Sequence, residues 1–225
     1  MDGNFNCRTW GLRDFKGVRF GNVSKDFRCE HNQLTTLVGA PQSVGRSFDC
    51  DYNQLTSLVG APQSVGSYFN CSDNQLTSLV GAPQSVGSYF NCSDNQLTSL
   101  EGAPQTVGVH FNCSNNQLTS LEGAPKTVGV SFDCGNNQLT TLVGAPQSVG
   151  GDFSCHDNPV SETTLDSIFE LMKNGMAYQQ ALEEHWPKMA DEDRVLMYKE
   201  MPNLSPEDVR KYKALATYGN IKGYL

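Results

Sequence analysis

The chain's reactive side chains are eight cysteines and four histidines, and their spacing decides what chemistry they could support. Cys7, Cys29, Cys50, Cys71, Cys92, Cys113, Cys134 and Cys155 all recur at one position of a repeat, and none forms a C-x-x-C pair of the kind that binds zinc or exchanges disulfides. The closest approach to a nucleophile, base and acid in one place is Ser154-Cys155-His156-Asp157. In a strand, neighbouring side chains alternate faces, so Cys155 turns inward, His156 turns outward, and the two cannot cooperate. No H-E-x-x-H, G-x-S-x-G, G-x-x-x-x-G-K-[ST] or G-x-G-x-x-G is present. His185 has no second ligand or base at useful spacing. These residues predict no catalytic centre, no metal site and no cofactor. The protein is read as non-enzymatic.

The cysteines share a position because the chain repeats itself every 21 residues. Phe27, Phe48, Phe69, Phe90, Phe111 and Phe132 each open a full copy, and Asn53 to Asp73 is identical to Asn74 to Asp94. A period of this length marks a solenoid, in which each copy contacts only its neighbours. Phe48 and Cys50 are two apart and face inward from a strand, while Asn53 follows where the chain turns and can bond both its own turn and the adjacent copy. Leu55, Leu58, Ala61 and Val65 continue the apolar lining. Gly60 and Pro62 argue against a helix in the return stretch, which should be extended or a single 3₁₀ turn. With strands stacked at ~4.8 Å, the cysteines form an inward ladder of small apolar side chains rather than bridged pairs.

Three regions follow. Residues 1–26 read as a worn capping copy, with Phe5, Cys7, Leu12, Phe15, Gly17 and Val23 in place if one residue is inserted before Val23, and with Trp10 in place of the ladder asparagine. Residues 27–160 hold six full copies and a partial one, which makes about eight rungs of parallel sheet, ~34 Å long. Residues 161–225 change to helix formers. Ser161 caps an expected helix to Lys173, further helices are expected over Tyr178–Trp186 and Asp191–Met201, and Ser205-Pro206-Glu207-Asp208 opens a fourth. The expected fold is thus an α+β repeat protein, a solenoid closed by a C-terminal helical cap.

In its second half each copy, read as Phe48-x-Cys50-x-x-Asn53-x-Leu55 with Leu58 three residues later, resembles the short bacterial type of leucine-rich repeat. It departs from that pattern at the first Leu, where Gly45, Gly66 and Gly87 stand, so a tighter entry to each strand is expected. The Gly-Ala-Pro wording and the tail resemble leucine-rich-repeat proteins of large bacteriophages, a resemblance that covers nearly the whole chain and carries no established activity. It implies a partner in a bacterial host, such as a defence protein that this chain would inhibit. Some bacterial leucine-rich-repeat effectors carry a ubiquitin ligase domain with a catalytic cysteine after the array. No cysteine follows Cys155, which excludes that activity.

Charge narrows the partner. The first 50 residues carry seven Lys/Arg against five Asp/Glu, whereas residues 51–160 carry Lys126 alone against eight acids, within a chain of net charge -8. Nucleic acid is disfavoured, because binding its backbone needs a basic face. The start is polar from its first residue and no apolar run of 18 occurs, so neither a signal peptide nor a membrane span is expected and a cytoplasmic location follows.

On the expected concave face, Tyr52, Tyr68, Tyr89 and His110 make a run of rings over consecutive rungs, with Asp73 and Asp94 beside them. Rings flanked by carboxylates suit a protein partner with a basic surface. A second stripe, Val38, Val59 and Val80, offers an apolar flank for a partner or a second copy. The sequence therefore points to a protein-binding module, with a self-assembling scaffold or virion part as the alternative.

Overall fold

A computed structural model of the chain describes residues 1–140 and 142–159. They form a solenoid with two parallel sheets. The first has eight strands in chain order: Phe5–Asn6, Phe27–Arg28, Phe48–Asp49, Tyr68–Asn70, Tyr89–Asn91, His110–Asn112, Ser131–Asp133 and Phe153–Ser154. Its register places each Phe on the Phe of the next rung, and Phe5 pairs with Phe27 across the longer first copy. Val23 bridges to Val44, as the one-residue insertion requires. The expected helices beyond residue 160 lie outside the described residues.

The return stretch is extended, one of the two forms the sequence allowed, and its extended pairs line up into a second sheet that the sequence did not suggest. Its six strands are Ser43–Val44, Ser64–Val65, Ser85–Val86, Thr106–Val107, Thr127–Val128 and Ser148–Val149. The hydroxyl residue faces out or partly out while the valine lines the core. Between the sheets each chain turn closes at Leu58-Val59-Gly60-Ala61, where the Ala61 amide donates to the Leu58 carbonyl at 2.9 Å and Gly60 has φ +93°. That is the pattern of a type II turn, which needs a positive φ at its third residue. Val38, Val59 and Val80 fall at the second residue of such turns and are 60%, 53% and 49% exposed.

The glycine that stands for the first Leu has a steric cause. A Cβ on Gly66 would lie 2.1 Å from the Gly45 carbonyl oxygen, and one on Gly87 2.0 Å from that of Gly66. The rungs touch backbone to backbone there, so any side chain forces them apart.

Inside, Phe27 through Phe153 stack at 5.2 to 5.4 Å with their rings near parallel. Leu34, Leu37, Leu55, Leu58, Leu76 and Leu79 are fully buried beside them. The seven cysteines from Cys7 to Cys134 are buried and free, and each Sγ–H donates to a carbonyl of the following rung, as Cys71 does to Asn91 at 3.3 Å. Burial pushes the Cys7 thiol up to about 11 and the Cys29 to Cys134 thiols well above their ordinary range. Thiolate, the reactive form, is thereby suppressed. A chromogenic thiol reagent should count all eight cysteines in denaturant and react with only a small fraction of them in the native chain. Fast native reaction of most of them would contradict this packing.

Candidate protein-binding face

The outer face of the eight-stranded sheet is built from columns of residues in register. Tyr68, Tyr89 and His110 open three successive strands and pair directly. Their rings form a continuous contact, with centroids 4.9 Å apart and tilted between the tyrosines, then 5.8 Å and edge-on to His110. All three are half-buried. His110 Nδ1 is hydrogen-bonded to Ser131 Oγ, and Asn112 Nδ2 donates to the Tyr89 hydroxyl at 3.5 Å. Burial pushes the Tyr68 phenol up to about 12, helped by Tyr89 and then by Asp49 and Asp51. Tyr89 is also raised by burial, against the hydrogen bond from Asn112. Both stay protonated donors at neutral pH.

Tyr52, Asp73 and Asp94 occupy another column. Each stands just past its strand in a bend, with φ of +49°, +52° and +56°, the left-handed region where Asp is tolerated and Tyr is not favoured. The run of rings expected from Tyr52 to His110 therefore divides. Tyr52 and Tyr68 sit at opposite ends of their strands, roughly 15 Å apart along the strand direction. Tyr52 is 51% exposed and stacks instead on His31, centroids 4.4 Å apart and 7° from parallel. Asp94 accepts a hydrogen bond from Asn115 Nδ2 at 3.0 Å. Asp73 is raised by burial, countered by a hydrogen bond from Ser72 and reinforced by Asp94.

Extending the same columns one rung back from Asp49, Asp51 and Tyr52 gives Arg28, Glu30 and His31. The outward columns expected from the sequence begin at Asp49, Asp51 and Tyr52, one rung later. Arg28 reaches Asp26 at 3.7 Å and Asp49 at 3.8 Å, and Arg46 reaches Asp26 at 3.8 Å. Asp26 and Glu30 are buried, at 7% and 8% exposure. Asp49 is pushed up to about 6, chiefly by burial, then by the Glu30 and Asp51 carboxylates, with Arg28 opposing and Asp26 adding.

Among the described residues no three His, Cys, Asp or Glu side chains come together to hold a metal ion, and no helix is long and apolar enough to cross a membrane. Compared with known protein families and with curated proteins, the chain gives no match.

Asp49 gives the face a pH signature. Its folded pKa lies above its ordinary 3.8, so the native chain holds the proton more tightly than the unfolded one. Stability from this group is full below 3.8 and is lost as pH rises through about 6. Asp49→Asn should therefore stabilise the chain at pH 7, by ~1 kcal/mol once solvent screening is allowed for, and flatten its stability profile between about 4 and 6. Denaturant melts across that range, wild type against variant, check both the sign and the window.

Proposed function

We propose that this chain is a non-enzymatic protein-binding module that takes a partner with a basic surface on the outer face of its eight-stranded sheet. The observation that carries the reading is the Tyr68–Tyr89–His110 ring stack at the middle of that face. Its half-buried rings offer area whose rotamers neighbours already restrict, so little entropy is lost when a partner covers them. Asp73 and Asp94 with the exposed Tyr52 form the second edge of the contact. Between the two columns lie the half-buried Asn70 and Asn91, short polar side chains that can bond a partner without blocking it, with Ser72 and Ser93 buried beside them. The likeness to leucine-rich-repeat proteins of phages supports a host protein, such as a defence protein, as the partner, met in the host cytoplasm.

The second reading is a self-associating or scaffold role. The exposed valines at the turns favour it, since three in register make a small apolar stripe. The mass of the chain in solution bears directly on it, because a strict monomer removes self-assembly.

Affinity capture from a bacterial host lysate separates the surfaces. The Tyr68→Ala/Tyr89→Ala pair is expected to weaken partner binding by ~2 to 4 kcal/mol, while Val59→Asp/Val80→Asp leaves it intact. Because both tyrosines are half-buried, a melt must accompany the binding measurement so that lost packing is not read as lost contact. Loss of binding with the valine pair alone moves the site to the turns.

A further inference from the structure

The second and third rungs carry a group of charges that the ring stack does not use. Glu30 and Asp51 stand at the same place on adjacent rungs: the His31 amide donates to the Asp51 carbonyl at 3.1 Å, as the Thr9 amide does to the Glu30 carbonyl at 3.3 Å. Asp49 lies on the strand beside them, in register with Arg28. Like charges stacked directly opposite one another repel, so this arrangement is costly unless a cation answers it.

The resident arginines answer it only in part. Glu30 Oε1 lies 3.7 Å from Arg8 Nε, and the Arg28 and Arg46 contacts to Asp26 and Asp49 are 3.7 to 3.8 Å. A charge-assisted N–H···O bond is shorter, ~2.7 to 2.9 Å. Glu30 Oε2 is buried with no hydrogen-bond partner at all. Leaving a buried carboxylate oxygen unsatisfied is expensive, and native structures rarely do so without a reason.

We propose that Glu30, Asp51 and Asp49 form a seat for one guanidinium group, the head of an arginine on the partner protein. The proposal rests on the reading of this face as protein-binding and adds the side chain it selects. A guanidinium presents five N–H donors in a planar fork and meets two carboxylates at once, which is what Glu30 and Asp51 on adjacent rungs offer. An ammonium is a point charge and uses only one of them well. The exposed His31–Tyr52 stack, made by the residues next in the chain after Glu30 and Asp51, gives a planar cation an aromatic flank. Entry displaces Arg8, whose side chain is 54% exposed and so has room to leave.

The probe is a capped tetra-arginine peptide, titrated at low salt into the isotope-labelled full chain, with the tetra-lysine and tetra-citrulline peptides as comparisons. Amide shifts should centre on Arg28 to Tyr52, the arginine peptide should bind several-fold more tightly than the lysine one, and the uncharged citrulline peptide should not bind. Glu30→Gln/Asp51→Asn should weaken arginine-peptide binding roughly tenfold or more, and Asp73→Asn/Asp94→Asn by less than about twofold. Equal binding of the lysine peptide, or an equal loss from the Asp73/Asp94 pair, overturns the seat in favour of a diffuse acidic field. Should the double variant fail to fold, Asp51→Asn alone makes the same comparison. Tyrosine-dependent capture of a partner without arginine-peptide binding refutes the seat only. Peptide binding at the seat without any captured partner refutes only the wider reading of the face.

Discussion

The spacing of this solenoid hangs on one asparagine amide in each rung after the first. Asn95 Nδ2 shares its two hydrogens among the Cys92 and Ser93 carbonyls of its own turn and the Cys71 carbonyl of the rung before, at 3.0 to 3.2 Å, while its Oδ1 accepts the Leu76 amide at 3.0 Å. Asn53, Asn74, Asn116 and Asn137 repeat the same four bonds. A side chain that satisfies backbone groups on two rungs fixes the spacing between them. No other residue type offers an acceptor and a two-hydrogen donor on so short a stem. Removing one leaves several buried backbone groups unsatisfied, each at ~1 to 3 kcal/mol.

The ladder also dictates the surface. To aim each asparagine inward, the residue before it must take a left-handed φ, as His31, Tyr52, Asp73, Asp94, Asn115, Asn136 and Asp157 all do at +49° to +56°. Asn and Asp accept that region readily, and five of the seven positions hold them. His31 is a type also found there, but Tyr52 does not favour it, and Tyr52 stacks on His31. At Tyr52 the aromatic corner beside Glu30 and Asp51 therefore exists against local preference, with ring stacking as its compensation.

How much of this was legible in the sequence follows from what leaves a periodic trace. The Phe and Cys columns, the asparagine ladder and the leucines were readable because inward residues recur unchanged every 21 positions. The worn first copy was readable too, since its insertion preserves Phe5 opposite Phe27. The second sheet was not, because a two-residue strand is too short to show alternation. Tyr52 leaves the expected run of rings for a different reason: a strand continued past Cys50 would align it with Tyr68, but a left-handed φ ends the strand first, and a tyrosine gives no sign of one. Glu30 stood in a column the sequence did display, but its burial depends on how neighbouring rungs fold over it, which no register count gives.

Within one chain, the copies act as controls for one another. Positions under structural constraint stay fixed from rung to rung: the ring, the thiol, the amide, the glycine whose Cβ would strike the rung before. The position just before each inward Phe is not so held, and it runs Asp26, Ser47, Tyr68, Tyr89, His110, Ser131 and Asp152. The repeated backbone admits each of these side chains, although Asp26 is buried and held by Arg28, Arg46 and the Ser47 amide. The identity of Tyr68 and Tyr89 says little on its own, since the whole of Asn53 to Asp73 recurs unchanged in Asn74 to Asp94. More telling is His110, in a copy that has diverged at Glu101, Thr106 and Val109 yet keeps a ring on the Tyr89 stack. Seated on that stack, the third ring restricts its neighbours, and rings already held in place lose little side-chain entropy when they are covered.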